Sequence, residues 1–197
     1  MSSHGKGAVI LKRTEMDILL ALNRLIARMD MNKITTEKIV DEARISRATF
    51  YRYFKDKYDV LNQNYKKLLN DCLFQCNNYR DLFLLMFRHA REEWSDFHRA
   101  FTTTGVNSFE NYITNYSRSI VEQITLENRG GKGLSEEEQL QLDVFCFGVS
   151  QMYKKWTLGS YSLSPEAAAD SLYAIMPESL KHYWFLNEFQ VSDCENL

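Results

Sequence analysis

Between residues 46 and 54 the chain reads Ser-Arg-Ala-Thr-Phe-Tyr-Arg-Tyr-Phe, with Lys55 and Lys57 just beyond. Wound into a helix at about 100° per residue, this run separates by face: Phe50 marks an inner side, Ala48 and Arg52 lie about 200° away toward solvent, and Thr49 and Tyr51 flank them. The outer face is polar and basic and carries no acid. Arg47 at the start of such a helix has the reach and the donor fork for guanine O6 and N7, and Ala48 is small enough to meet a thymine methyl. Thr36, Tyr51, Tyr53 and Lys57 offer the hydroxyl and ammonium groups that bind phosphate, which position a helix without specifying sequence. These residues suit recognition of double-stranded DNA through its major groove. The same segment buried as a hairpin in a larger bundle would not gather Arg47, Arg52, Lys55 and Lys57 on and beside one helix.

Such a reading helix needs neighbours that hold it at a steep angle. Ser46 caps it, and Thr35 caps a shorter preceding helix that runs to about residue 43, with Ile39 and Val40 inward. Ala43 is the small residue where two steeply crossing helices approach, and Ile39, Ile45 and Phe50 supply inward apolar groups on both sides of the turn. Before them, Ile18, Leu22, Leu25 and Met29 recur on one face of a helix over about 12–29. After them, Asp56 begins a fourth helix with Leu61, Tyr65, Leu68, Cys72 and Cys76 as apolar positions. Charge follows the same division. Residues 1–70 hold 14 Lys and Arg against 8 Asp and Glu, whereas the rest of the chain holds 10 against 18. A basic N-terminal third is drawn to polyanions and the acidic remainder is not.

The string Ala43-x-Ile45-Ser46-Arg47-Ala48-Thr49-Phe50-Tyr51-Arg52-Tyr53-Phe54-Lys55-Asp56-Lys57 resembles the signature of the TetR (tetracycline-repressor-like) family, and the resemblance covers about residues 16–69. It implies an all-α homodimer: a three-helix helix-turn-helix domain over 1–56, with the reading motif at 35–54, and a larger helical bundle over 57–197 for dimerisation and small-molecule sensing. The candidate DNA contacts are then Thr35, Thr36, Arg44, Ser46, Arg47, Ala48, Thr49, Tyr51, Arg52, Tyr53 and Lys57. Two positions depart from the family pattern. Arg44 stands where glycine is common at the turn, so the backbone there either changes conformation or gains a phosphate contact. Glu37 stands where some members place a basic base-reading residue. A carboxylate there repels phosphate unless it accepts a cytosine amine or pairs with Lys38 or another neighbour. Trp156-x-x-Gly159 followed by Ser164-Pro165-Glu166 is similar to a subset of the family that includes regulators of dihydroxyacetone kinase operons.

Beyond residue 78 the pattern stays helical, over about 79–103, 109–127, 135–158 and 165–185, with breaks at Gly105, Gly130 to Gly133, Gly159 to Ser164, and Pro177. The middle segments are rich in aromatics, among them Phe109, Phe145 and Tyr153. The resemblance implies a ligand pocket among these helices, for which Trp94, Phe97, His98, Phe101, Tyr112, Tyr116, Phe147, Gln151 and Trp156 are the candidate lining. Dimerisation is expected through the last helical segments, by Leu172, Tyr173, Ile175, Met176, Leu180, Tyr183 and Trp184.

Other chemistries find no support in the residues. Two prolines and eight glycines in 197 residues disfavour a turn-dense sheet protein, and 45% hydrophobic content disfavours disorder. No apolar run approaches the roughly 18 residues of a membrane span; the densest, 82–87, stops at Arg88. A short apolar stretch at 8–11 is not a secretory h-region, so the cytoplasm is the expected compartment. Cys72, Cys76, Cys146 and Cys194 show no CxxC pairing and no completed metal set, and are expected to pack as thiols. Hydrolase, di-iron and P-loop motifs are missing, so neither an enzyme nor a cofactor is expected. The competing expectation is a helical adaptor with a vestigial DNA-binding head and a protein-binding body.

Overall fold

The computed structural model describes residues 4–92, 94–101 and 109–184, with side chains except at 4–12 and 94–97. Among the described residues the chain is helical, without strands. The head is built from α1 (His4–Ile26), α2 (Thr36–Ala43) and α3 (Arg47–Tyr53), with a single 3-10 turn, Met31–Lys33, between the first two. Then follow α4 (Lys57–Leu73), α5 (Tyr79–Glu92), α6 (Trp94–Phe101), α7 (Phe109–Asn128), α8 (Glu136–Thr157), α9 (Pro165–Ile175) and the single turn α10 (Glu178–Lys181).

Caps set most of these boundaries. Ser46 Oγ accepts from the backbone N–H of Thr49 at 3.0 Å, and Asp56 Oδ1 accepts from Tyr58 and Asp59 at 2.8 and 2.9 Å. At α8 the Ser135 hydroxyl and the Glu138 carboxylate exchange bonds with each other's backbone N–H groups, a reciprocal capping box. At α9 Ser164 Oγ accepts from the backbone N–H of Ala167 and Pro165 occupies the first helical position. The segment expected as one helix over 79–103 is helical on both sides of residue 93, which lies outside the described residues, as do residues 102 and 103. Tyr79–Glu92 packs along α9, whereas Trp94–Phe101 packs on α1 and α8. The final helix ends earlier than expected, at Ile175, since Pro177 cannot continue it.

The core of the head is Ile18, Leu22, Met31, Ile34, Ile39, Phe50 and Val60, all essentially without solvent exposure. Outside it, Glu42 receives Arg24 Nε at 2.7 Å and Arg28 Nη2 at 2.5 Å, so the C-terminal ends of α1 and α2 are pinned together. In the body, α5 lies between α4 and α9, and α7 pairs with α8. Arg129 at the end of α7 grips the Glu138 carboxylate with two bonds of 2.9 and 2.5 Å and holds its pKa down to about 2. Cys72, Cys76 and Cys146 are free and buried, and burial pushes their thiols up to about 12, 11 and 12. They are packed groups with little thiolate. Cys194 lies outside the described residues.

At the turn between α2 and α3, Arg44 takes φ 56° and ψ 46°. The helix-turn-helix thus keeps its left-handed residue although a side chain occupies it. An L-residue is disfavoured there because its Cβ crowds the following carbonyl. Arg44→Gly is therefore expected to stabilise the protein by up to about 1 kcal/mol, partly offset by the freer unfolded chain. Urea unfolding of the two proteins, compared at unchanged m-value, measures this; a destabilised glycine variant would show that the arginine side chain holds the turn.

Candidate nucleic-acid interface

Ser46 fixes the start of α3, and Phe50, wholly buried, fixes its rotation. Arg47, Ala48, Tyr51 and Arg52 consequently face solvent, with Arg44 and Ser46 exposed on the preceding turn. Thr49 is half-buried and its hydroxyl lies 2.8 Å from that of Ser46. Thr35 is exposed and accepts from Lys38 N–H at 3.4 Å, capping α2 beside the half-buried Thr36. The arrangement brings one continuous polar face onto the N-terminal ends of α2 and α3, where backbone N–H groups favour anions.

Several of these side chains already have partners within the protein. The Arg47 guanidinium sits 3.1 Å from a Glu37 carboxylate oxygen and 5.6 Å above the Tyr51 ring. Of the pairings open to Glu37, the fold selects Arg47. Lys38 instead donates to the Lys33 carbonyl at 2.8 Å. Arg52 stacks on the Tyr53 ring at 5.3 Å, while the Tyr53 hydroxyl is buried without a hydrogen-bond partner.

Lys57 is the main revision to the expected contact set. Its ammonium is half-buried and donates to the carbonyls of Met31 and Ile34 at 2.8 and 2.7 Å. Burial lowers its pKa. Two of its three N–H donors are thus committed to joining the 3-10 turn before α2 to the first residue of α4. Spacing alone did not reveal this, because the acceptors are main-chain groups more than twenty residues away in sequence.

With this geometry the comparisons with known proteins agree. Residues 18–63 match the family described as bacterial regulatory proteins, tetR family, and residues 77–178 match a transcriptional regulator C-terminal region. The chain belongs to the TetR family. Among solved structures, the dihydroxyacetone kinase operon activator DhaS has a TM-score of 0.60 at 15% identity, covering 87% of this chain and 98% of that one. The fatty acid degradation regulator FadR from Bacillus halodurans has a TM-score of 0.53 at 14% identity, covering 86% and 97%. At such identities the likeness is one of fold. A comparison with curated proteins returns no match.

The body of this TetR-family chain holds a partly open cavity of about 60 Å³ lined from α4, α5, α7, α8 and α9. Its wall includes Tyr65, Tyr79, Phe145, Cys146 and Tyr153 and no charged residue. None of the candidate pocket residues with a described side chain lines it. Phe147 is 61% exposed and Gln151 is also at the surface, bonded to Glu110. Phe101 and Trp156 are buried but spent on packing, against Phe109 and Tyr153 and against Phe87, respectively. Tyr116 donates to Asn70 at 2.8 Å and stacks on Tyr112, and His98 is half-buried on α6. The side chains of Trp94 and Phe97 lie outside the described set. Helical spacing did not tell which side of α7 and α8 meets the void, and α6, with four of the candidates, contributes no described residue to its wall; Phe145 and Tyr153 of α8 do meet it.

The candidate dimer residues also divide. Leu172, Met176 and Leu180 are buried within the chain, Leu172 on the cavity wall. Trp184 packs edge-on against Tyr79 and donates to the Cys76 carbonyl at 3.1 Å. Tyr183 lies under Arg129, and Tyr173 under Lys181. The most exposed large apolar groups among the described residues are Ile175 on α9 and Leu140, Val144 and Phe147 on α8, each more than 60% exposed. Their i, i+4, i+7 spacing on α8 was legible in the sequence as a second apolar stripe.

Lys57→Met keeps the aliphatic stem and removes both carbonyl bonds. It is expected to cost about 1–3 kcal/mol in urea unfolding, with a smaller change in the salt dependence of DNA binding. Full stability combined with a salt slope flattened by about one would restore a phosphate role to this lysine.

Proposed function

We propose that the protein is a homodimeric repressor that binds a pseudo-palindromic operator and is released by a small uncharged effector. The observation that carries this reading is the capped α3 with Arg47, Ala48, Tyr51 and Arg52 turned outward on a basic head. In it, residues 1–56 act as the reading head and residues 57–197 as the regulatory body. Two heads would enter successive major grooves on one face of the duplex, about one helical turn apart. Base discrimination falls to Arg47 and Ala48. Thr35, Thr36, Tyr51 and Arg52 supply backbone contacts, and Arg44 extends them from its left-handed turn. The site of action is the cytoplasm, where such a regulator meets its DNA.

A second copy is the occupant that suits the exposed stripe of Leu140, Val144, Phe147 and Ile175. Ser179 of α10 donates to Gln141 of α8 at 3.2 Å, which brings the end of α9 beside the start of α8. A two-fold axis through this patch would bury four apolar groups from each protomer and close the assembly at two. For the effector, the cavity beside α4 favours a small apolar molecule: with no charged group in its wall, a charged ligand would be desolvated without compensation. Tyr79 lines the cavity and its buried hydroxyl has no hydrogen-bond partner, which suits one polar atom on such a ligand.

Two experiments test the reading. Selection of random duplexes by the purified protein is expected to enrich a two-fold symmetric motif, bound far more tightly than the unselected pool at physiological salt. Recovery of an unenriched pool would favour the adaptor alternative. The double variant Val144→Glu, Phe147→Glu is expected to sediment as a monomer and lose most operator affinity, because one head alone contacts half a site. An unchanged sedimentation mass would place the interface elsewhere.

A further inference from the structure

The pairing of Glu37 with Arg47 calls for a reason beyond stability. Both side chains are well exposed, 59% and 66% respectively, and ion pairs of that kind contribute little to folding. Glu37 lies in the first turn of α2 and Arg47 is the first residue of α3, so the pair spans the gap between the two helix ends that face DNA. A carboxylate at this place is costly for binding a polyanion as such. Its backbone N–H environment and the neighbouring Thr35 hydroxyl keep it ionised, with its pKa below the ordinary carboxylate range. The negative charge is therefore present whenever the head meets DNA.

We propose that Glu37 is a specificity determinant that acts as a positioning residue for Arg47. This rests on the DNA-reading role assigned to the head. The guanidinium is held from one side by the carboxylate, 3.1 Å away, and from another by the Tyr51 ring, 5.6 Å from its carbon. Arg47 approaches Glu37 through Nη1 alone, and a guanidinium has five N–H donors, so enough remain for a bidentate pair on guanine O6 and N7. Restraint of a long flexible side chain in advance lowers the ordering cost of reading that base. The same carboxylate opposes non-specific binding in two ways. It occupies Arg47 so that the guanidinium is less available to any passing phosphate, and it repels phosphates in shifted registers. Operator binding gains from Glu37 while random-sequence binding loses, and the ratio between them is the quantity the residue sets.

The sign of the two effects separates this role from a structural one. The operator duplex found by selection and a scrambled duplex of equal length are titrated against salt with wild type, Glu37→Gln, Arg47→Ala and the double variant. Thermal melting of each protein monitors the fold. For Glu37→Gln we expect affinity about tenfold weaker on the operator and severalfold tighter on the scrambled duplex, with a salt slope steeper by up to about one there. In the Arg47→Ala background, Glu37→Gln should cause no further loss of operator affinity. Equal changes on both duplexes would overturn the proposal, as would an operator loss that persists undiminished without Arg47; that second result would mean that Glu37 itself reads a base. If wild type enriches no motif, the DNA-reading role fails and the proposal with it. If wild type enriches one and Glu37→Gln keeps the same motif and affinity ratio, only the role of Glu37 fails.

Discussion

Helix α4 belongs to two cores at once, and the placement of everything that faces DNA depends on it. Its first turns bury Val60 and Leu61 in the head, and the turns beyond bury Tyr65, Leu69, Cys72 and Leu73 in the body. Tyr65 is the meeting point. It packs edge-on against Phe109 and Tyr112, lies 3.5 Å from the Ser117 hydroxyl, and borders both the body cavity and the groove between α1 and α4. A close-packed interior does not deform smoothly, so a change of packing around Tyr65 moves α4 as a rod. The front of that rod carries Asp56 and Lys57, which cap α4 and hold the turn before α2.

The head was legible in the sequence because its signals are local. Ser46, Thr35 and Asp56 cap the helices expected of them, and Ile39 and Phe50 turn inward, each from spacing that a short window contains. The family resemblance rested on the same window. What the window could not show were side chains satisfied from far away. Lys57 finds its acceptors at Met31 and Ile34, and Glu37 finds Arg47 only once the turn at Arg44 has folded α3 back toward α2. Arg44 itself shows the order of forces. Burial of Ile39 and Phe50 in one core fixes the crossing of the two helices, and the turn residue is carried into a left-handed conformation that its side chain disfavours.

The body was legible as helices but not as faces, for a physical reason. Its segments carry apolar residues on more than one side, so periodicity does not single out the inward stripe. On α8, Phe145 and Tyr153 face the cavity while Leu140, Val144 and Phe147 face away, and all five are equally apolar in composition. On α9, Leu172 lines the cavity wall whereas Ile175, three residues on, is 64% exposed. A helix that is apolar on two faces has two partners to satisfy. For α8 and α9 one partner lies within the chain, and the other is what the proposed dimer supplies.

That division bears on how a body cavity reaches a DNA-reading face. Among the described residues two ties of different kinds join the head to the body. One is α4, continuous through both cores. The other is α6, from which Arg99 donates to the Ile26 carbonyl at 2.6 Å, at the C-terminal end of α1, where a cation meets the negative end of the helix. An object held at one point can only be shifted, whereas one held at two is rotated when the two move unequally. The cavity wall includes Tyr65 of α4, Phe87 of α5 and Tyr153 of α8, while α6 packs on α8 and on α1. Filling the cavity therefore acts on α4 directly and on α6, which contributes no described residue to the wall, only through α5, α7 and α8. Under the proposed release by an effector, that inequality turns a small expansion of the body into a rotation of the head. In a dimer the two heads would rotate oppositely about the two-fold axis, so the spacing of the two α3 helices changes without any change within either reading surface.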